Sequence, residues 1–322
     1  MAPEFDLIRR HFTWPVTMAG TLGVGDDCAL FLPPAGRQVA VSTDLLVEGR
    51  HFFPDVDPRA LGHKSLAVNL SDLAAMGAQP AGCVLGLALP DIDHDWLAAF
   101  AAGFRALSER ANCPLLGGDT TRSLSGRTIS VTIFGYVDPA QALRRDAARP
   151  GDDLWVSGRL GAAHAALQVM LEKWSVPADA PVPDWRQALE HPEPQLALGG
   201  RLAGLAHAAI DISDGLAQDL GHILVASACG ARIDCTLLPA ADGLQMLDEV
   251  QRLEALLGGG DVYQLCFTAA PGQRDAILQA AVAADTQVTR IGVIEPQTGL
   301  RLIDAQGRIV ADGFAGFDHF RA

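Results

Sequence analysis

Short apolar runs alternate with longer segments whose apolar positions recur at helical spacing, and this pattern predicts an α/β chain. Phe5, Ile8 and Phe12 share one helical face, and a glycine-rich stretch at 20–25 follows. Strands are predicted at 28–32 and at 38–46. Asp57-Pro58 opens an amphipathic helix in which Leu61, Leu66, Val68, Leu70, Leu73 and Met76 face a core and Gly77 stops the element; Asp72 falls inside it. A strand at 83–89, a helix at 93–110, a short strand ending at Leu116 and an alternating strand at 128–137 come next.

Arg149-Pro150-Gly151-Asp152-Asp153 reads as a turn between domains, so the chain divides into 1–148 and 149–322. The second part begins with a strand at 154–157. Its stretch at 175–185 carries three prolines and few core candidates, which predicts a surface loop. A helix near 194–208, a turn at 211–214 and a helix at 216–228 follow, with Ser213 or Asp214 as the N-cap. Strands at 232–235, 262–267 and 288–294 complete the pattern, and no internal repeat stands out.

At 322 residues the chain exceeds the size at which one core usually stops growing, which agrees with two domains. With 49% hydrophobic and 19% charged residues it has globular composition. The net charge of -14 argues against nucleic acid and anionic membranes, because binding either relies on Lys and Arg. Six cysteines without a Cys-x-x-Cys pair read as reduced core residues. No apolar run has the length of a membrane span, and the first residues do not read as a targeting segment, so a cytoplasmic location is expected.

The candidate chemistry lies in aspartates among small or polar neighbours: Asp26 and Asp27, Asp44 after Ser42-Thr43, Asp72 after Ser71, Asp119 after Gly117-Gly118, and Asp211 and Asp214 around Ser213. Carboxylate and hydroxyl oxygens suit Mg2+ that also holds phosphate. The only lysines, Lys64 and Lys173, stand in no Walker A loop, and neither His-Arg-Asp nor Asp-Phe-Gly is present. If the chain handles nucleotides, metal ions must supply most of the positive charge.

The stretches GVGDDCAL, STDLLVEGRHF, KSLAVNLSDLAAMGA, LLGGDTTR, ARPGDDLWVSG, AIDISDGLAQDL and GFDHF resemble, in order and over nearly the whole length, the thiamine-monophosphate kinase family of the aminoimidazole-ribonucleotide synthetase superfamily. The resemblance implies a two-domain fold of that type with mixed sheets. It also implies an enzyme that moves the γ-phosphoryl group of ATP directly onto thiamine monophosphate, with several Mg2+ ions and no catalytic side chain of its own. By the same resemblance Asp27, Ser42, Thr43, Asp44, Asp72, Asp119, Asp211 and Asp214 hold or border Mg2+, and Asp26 supports Asp27. Gly118, Asp119, Arg145 and Ser213 contact ATP, Gly118 because a missing side chain lets the main chain approach phosphate. His51, Asp261 and Phe317 contact thiamine monophosphate. A homodimer formed mainly by the N-terminal domain is implied too, and the strand at 128–137 offers an apolar face for it.

The chain departs from the family at 259–265, where Gly-Gly-Glu-Asp-Tyr-Glu-Leu is typical and Gly-Gly-Asp-Val-Tyr-Gln-Leu stands here. Asp261 falls on the first acid with a side chain one methylene shorter, while Val262 and Gln264 replace two carboxylates. Restoring both acids is expected to raise kcat/KM unless the positions are structural. Two alternatives stay open: a related enzyme of the superfamily acting on another small substrate, and a catalytically weakened thiamine-phosphate or nucleotide binding protein.

Overall fold

The structure, a computed structural model, describes residues 3–16, 21–25, 27–310 and 316. It forms two compact units: residues up to Leu73 together with Ala78–Ala140, and Ala74–Gly77 together with the residues from Gln141 onward.

The first unit contains α1 (Pro3–His11), β1 (Gln38–Val47), α2 (Pro58–Ala75, whose last residues join the second unit), β2 (Gln79–Leu89), α3 (His94–Arg110), β3 (Leu115–Arg122) and β4 (Thr128–Val137). Its sheet has the order β1-β4-β2-β3, and only β2 and β3 run parallel. Strict alternation on β4 buries Ile129, Val131 and Ile133 on one face. The expectation that this strand has an apolar face needing cover is therefore corrected: its apolar face is already inside the unit. The uncovered apolar face belongs to the edge strand β1, where Val39, Val41, Leu45 and Val47 are all exposed. Helix α2 is buried on every side from Ala60 to Ala75 except at Asp72, so it is a core helix and not an amphipathic one.

Two more expectations fail here. The stretch 28–32 makes only an isolated bridge, Leu22 to Leu30. The strand expected to end at Leu116 runs on to Arg122, so Gly117-Gly118-Asp119 lies within β3 and not in a turn. Pairing with β2 continues through Leu85↔Gly118 and Gly86↔Asp119, and those ladder bonds hold the glycines extended.

The second unit contains β5 (Asp153–Ser157), α4 (Ala162–Met170), α5 (Val182–Glu190), α6 (Leu196–Leu202), β6 (Ala208–Asp211), α7 (Leu216–Ala226), β7 (Gly230–Asp234), α8 (Glu249–Leu257), β8 (Leu265–Ala269), α9 (Arg274–Ala283), β9 (Val288–Glu295) and β10 (Gly299–Ile303). The six strands order as β10-β7-β9-β5-β8-β6. Both faces are covered. Leu154, Val156, Ile210 and Cys266 enter one core, while Trp155, Ala209, Leu265 and Phe267 enter another, so β5, β6 and β8 are buried at every residue. The proline-rich loop expected at 175–185 is corrected: Pro183 sits in the first turn of α5, where a missing amide costs nothing. Trp185 is buried with its indole N–H donating to the Asp242 carbonyl at 2.8 Å.

Candidate active site

Most candidate site residues of the first unit are mounted on regular elements. Ser42 and Asp44 point to the face of β1 that packs on α2, since their register partners Ile133 and Val131 are buried there. Ser42 Oγ donates to Asp72 Oδ2 at 2.5 Å, and the Asp44 amide donates to Asn69 Oδ1 at 3.2 Å. Asn69 is buried and donates in turn to the Ser65 carbonyl at 3.1 Å. Residues 65, 69 and 72 thus form a polar stripe at helical spacing on a core helix, aimed at the Ser42–Asp44 part of β1. Asn69 was missed from sequence, although an amide at that spacing from Asp72 was a usable signal.

Thr43 and Asp119 lie on the opposite sheet face. Thr43 Oγ1 is 2.7 Å from Thr132 Oγ1, and Thr132 aligns with Val84 and then Gly117. Three strand spacings, roughly 14 Å, therefore separate the row of Thr43 from β3. Asp27 is exposed on the segment before β1. His51 follows β1, and its Nδ1 accepts the Val47 amide at 3.0 Å, which leaves the ring hydrogen of the neutral form on Nε2. Gly118 has a packing reason of its own, because a Cβ there would overlap the Leu85 carbonyl oxygen of β2.

In the second unit the site residues stand on irregular backbone. Asp211 ends β6 and is buried; Ser213 and Asp214 follow, half-buried, in the turn before α7. The expected N-cap is corrected. Gly215 occupies that position without a side chain to cap the helix, and the amides of Ser213, Asp214 and Gly215 all donate to Asp219 Oδ2 at 3.0, 3.0 and 3.1 Å. Burial pushes the Asp219 carboxyl up to about 7, its amide donors pull the other way, and the charge of Asp214 adds to the rise. Arg145 stands in the short turn Arg145–Ala147; Arg144 is engaged by Asp146 in a two-pronged pair, whereas Arg145 is exposed and makes no ion pair among the described residues.

The stretch expected as a strand from 262 starts only at Leu265. Asp261 and Tyr263 both adopt positive φ, 59° and 52°, and the segment joins the preceding turn through Asp261 N–H to Ser213 O at 2.8 Å, Tyr263 N–H to Ile212 O at 2.7 Å and Ile212 N–H to Gln264 O at 2.8 Å. Val262 packs against the larger core. Gln264 Oε1 accepts from Ser157 Oγ at 2.7 Å, and Ser157 Oγ accepts the Leu265 amide at 2.8 Å. Both substituted positions therefore have structural contacts. Asp26 and Phe317 lie outside the described residues.

Within each unit the structure brings together Ser42, Asp44 and Asp72, and separately Asp211, Ser213, Asp214 and Asp261. Among the described residues no three His, Cys, Asp or Glu side chains converge closely enough to hold a metal ion. The donors are nonetheless all hard oxygens, and the Ser42–Asp72 contact sets a hydroxyl beside the one residue of that helix stretch that escapes burial, which suits Mg2+ chemistry. No helix among the described residues is long and apolar enough to cross a membrane.

Comparison with known proteins follows this geometry. Residues 25–137 match the AIR synthase related protein N-terminal domain, and residues 149–305 match its C-terminal domain. The chain is 41% identical to the thiamine-monophosphate kinase of Salmonella typhimurium, over 98% of each chain. Its fold is similar to the crystal structure of thiamine-monophosphate kinase from Stenotrophomonas maltophilia K279a, with a TM-score of 0.84, 44% identity and coverage of 92% of this chain and 94% of that one. It is also similar to the solved complex of AaThiL with AMPPCP and TMP, with a TM-score of 0.75, 28% identity and coverage of 98% and 96%.

Proposed function

The chain belongs to the AIR synthase related family, in its thiamine-monophosphate kinase branch, and from that membership we infer that it transfers the γ-phosphoryl group of ATP to the phosphate of thiamine monophosphate, giving thiamine diphosphate and ADP. The observation that carries this reading is identity of 41% sustained over 98% of both chains, which leaves no room for an exchanged domain.

The chemistry of the acceptor removes the need for a catalytic base. A phosphate monoester with a second pKa of about 6 is already ionised near neutral pH, so no side chain has to remove a proton from it. The work left to the protein is to position two polyanions and offset their charge. Mg2+, which we assign to Asp27, Ser42, Thr43, Asp44, Asp72 and Asp119 of the first unit and Asp211 and Asp214 of the second, would neutralise the phosphates and stabilise charge in the transition state. Gly118, Asp119, Arg145 and Ser213 are the assigned ATP contacts, and an exposed Arg145 that makes no ion pair among the described residues supports an anionic partner there. His51, Asp261 and Phe317 are the assigned contacts to thiamine monophosphate.

We assign a homodimer built through the first unit, supported by the exposed row of Val39, Val41, Leu45 and Val47 on an edge strand. Light scattering should then give twice the 33.9 kDa chain mass. A cytoplasmic setting is assigned as well, supported by six free cysteines. The deciding experiment incubates the protein with ATP, MgCl2 and thiamine monophosphate: equal amounts of ADP and thiamine diphosphate are expected, and ADP formed without thiamine diphosphate, or neither product, rejects the reading.

A further inference from the structure

Three consecutive amides that converge on one point make a concave seat for an anion, and at the start of a helix such a seat commonly takes a ligand phosphate. The turn at 213–215 builds that seat, but its occupant is internal. Asp219, one turn into α7 and only 2% exposed, places a single carboxylate oxygen within 3.0 to 3.1 Å of all three amide nitrogens.

This has two consequences. The peptide planes on both sides of Ser213 and Asp214 are pinned from below, which fixes the direction in which both side chains leave the turn. From the other side the turn is held by Asp261 N–H on Ser213 O and Tyr263 N–H on Ile212 O, an approach that needs Gly260, where a Cβ would lie 2.6 Å from Ser213 O. The amides themselves are spent, so a phosphate meeting this turn must be met by side chains.

We propose that Asp219 is a positioning residue for phosphoryl transfer: its carboxylate fills the amide seat of the 213–215 turn, orients Ser213 and Asp214 toward the nucleotide, and keeps ligand phosphate off the backbone. The assignment of nucleotide contact to this turn rests on the reading above; the filled seat does not.

The test has two arms that fail separately. Amide hydrogen exchange on the wild-type protein should show residues 213–215 protected without any nucleotide and unchanged when ATP is added. Amides that exchange freely, or become protected only with ATP, mean that the seat is open to ligand and overturn the proposal. The second arm is Asp219→Asn, which keeps the shape and removes the charge. Exchange at 213–215 should speed up while the rest of the unit stays protected, and KM for ATP should rise roughly ten- to a hundredfold, the cost of one charged hydrogen bond, with KM for thiamine monophosphate within about twofold. A folded variant with both KM values unchanged, or with both raised equally, overturns the positioning role. If that variant does not fold, the wild-type exchange result decides. Wild-type protein that protects the three amides yet makes no thiamine diphosphate would reject the proposed reaction and leave the filled seat standing.

Discussion

The two units mount their candidate site residues in opposite ways. In the first, Ser42, Asp44, Asp72 and Asp119 sit on strands and a core helix, and ladder register decides which way each points. In the second, Asp211, Ser213, Asp214 and Asp261 sit where regular structure stops, on two segments that hydrogen-bond to each other and include positive-φ residues without glycine's freedom. A strand gives direction at no extra cost because its amides are already paired. An irregular turn leaves amides unpaired, and each must find an acceptor, which is why the second unit spends Asp219 on three turn amides and Ser157, itself bonded to Gln264, on the amide at the start of β8, while the first spends mainly Asn69. Substitution in the first unit should therefore strike chemistry or register, and substitution of the supporting residues in the second should strike local order.

The largest effect is expected at Asp72→Asn. The side chain can still meet Ser42 Oγ, so the fold should survive, while kcat falls on the order of a hundred- to a thousandfold, as when one preorganised charge contact is lost at a transition state. Near-normal turnover at ordinary Mg2+ would remove Asp72 from the site. Gly118→Ala should rank next: the new methyl meets the Leu85 carbonyl, and denaturant titration should report about 3 kcal/mol lost, with the parallel pair β2–β3 as the casualty. If stability is kept and only ATP affinity drops, the glycine serves the ligand and not the sheet.

In the second unit, Ser157→Ala strips the Leu265 amide and Gln264 Oε1 of a partner in one step, for an expected loss of about 1 to 3 kcal/mol read from the same titration. The double variant Val262→Asp with Gln264→Glu should lower stability without raising kcat/KM, because Val262 packs on the core and Gln264 already accepts from Ser157. This reverses the gain expected from sequence, and a faster double variant would restore the view that the two missing acids weaken the enzyme. The smallest effect is a pH effect in the first unit. Burial and the neighbouring Arg10 and His94 hold His11 below its ordinary value, against a small opposing pull from Asp6. The native state favours the neutral ring, so the unfolded chain binds more protons as pH falls through about 6.5, and stability is lost in that direction. Melting curves should shift downward across that window in the wild type and less so in His11→Phe.

Much of this was legible in the chain. The strand at 128–137 and the helix at 93–110 carry periodicities that local sterics alone produce, and the aspartates among small residues marked the candidate site in the order the family keeps. Less legible was anything that depended on a partner distant in sequence. Residues 117–119 fell beyond the predicted end of the strand at Leu116 because glycines rarely favour a strand; only pairing with β2 extends it through them. Trp185 looked like part of a loop because prolines flank it, and only the Asp242 carbonyl and the surrounding core make it a buried helix residue.

What the sequence by itself determined is therefore the inventory: an acidic chain poor in lysine, hard-oxygen donors at fixed positions, and an α/β pattern, all of which follow from residue chemistry and local geometry. The tertiary structure decided how that inventory is held. It set Ser42 and Asp44 on one face of a sheet and Thr43 on the other, made Gly118 a packing necessity, and gave three amides of the 213–215 turn to Asp219 instead of to a capping Ser213 or Asp214. Those outcomes turn on which buried hydrogen-bonding group finds which partner across the fold, and a buried group must be satisfied by whatever the packed chain brings to it.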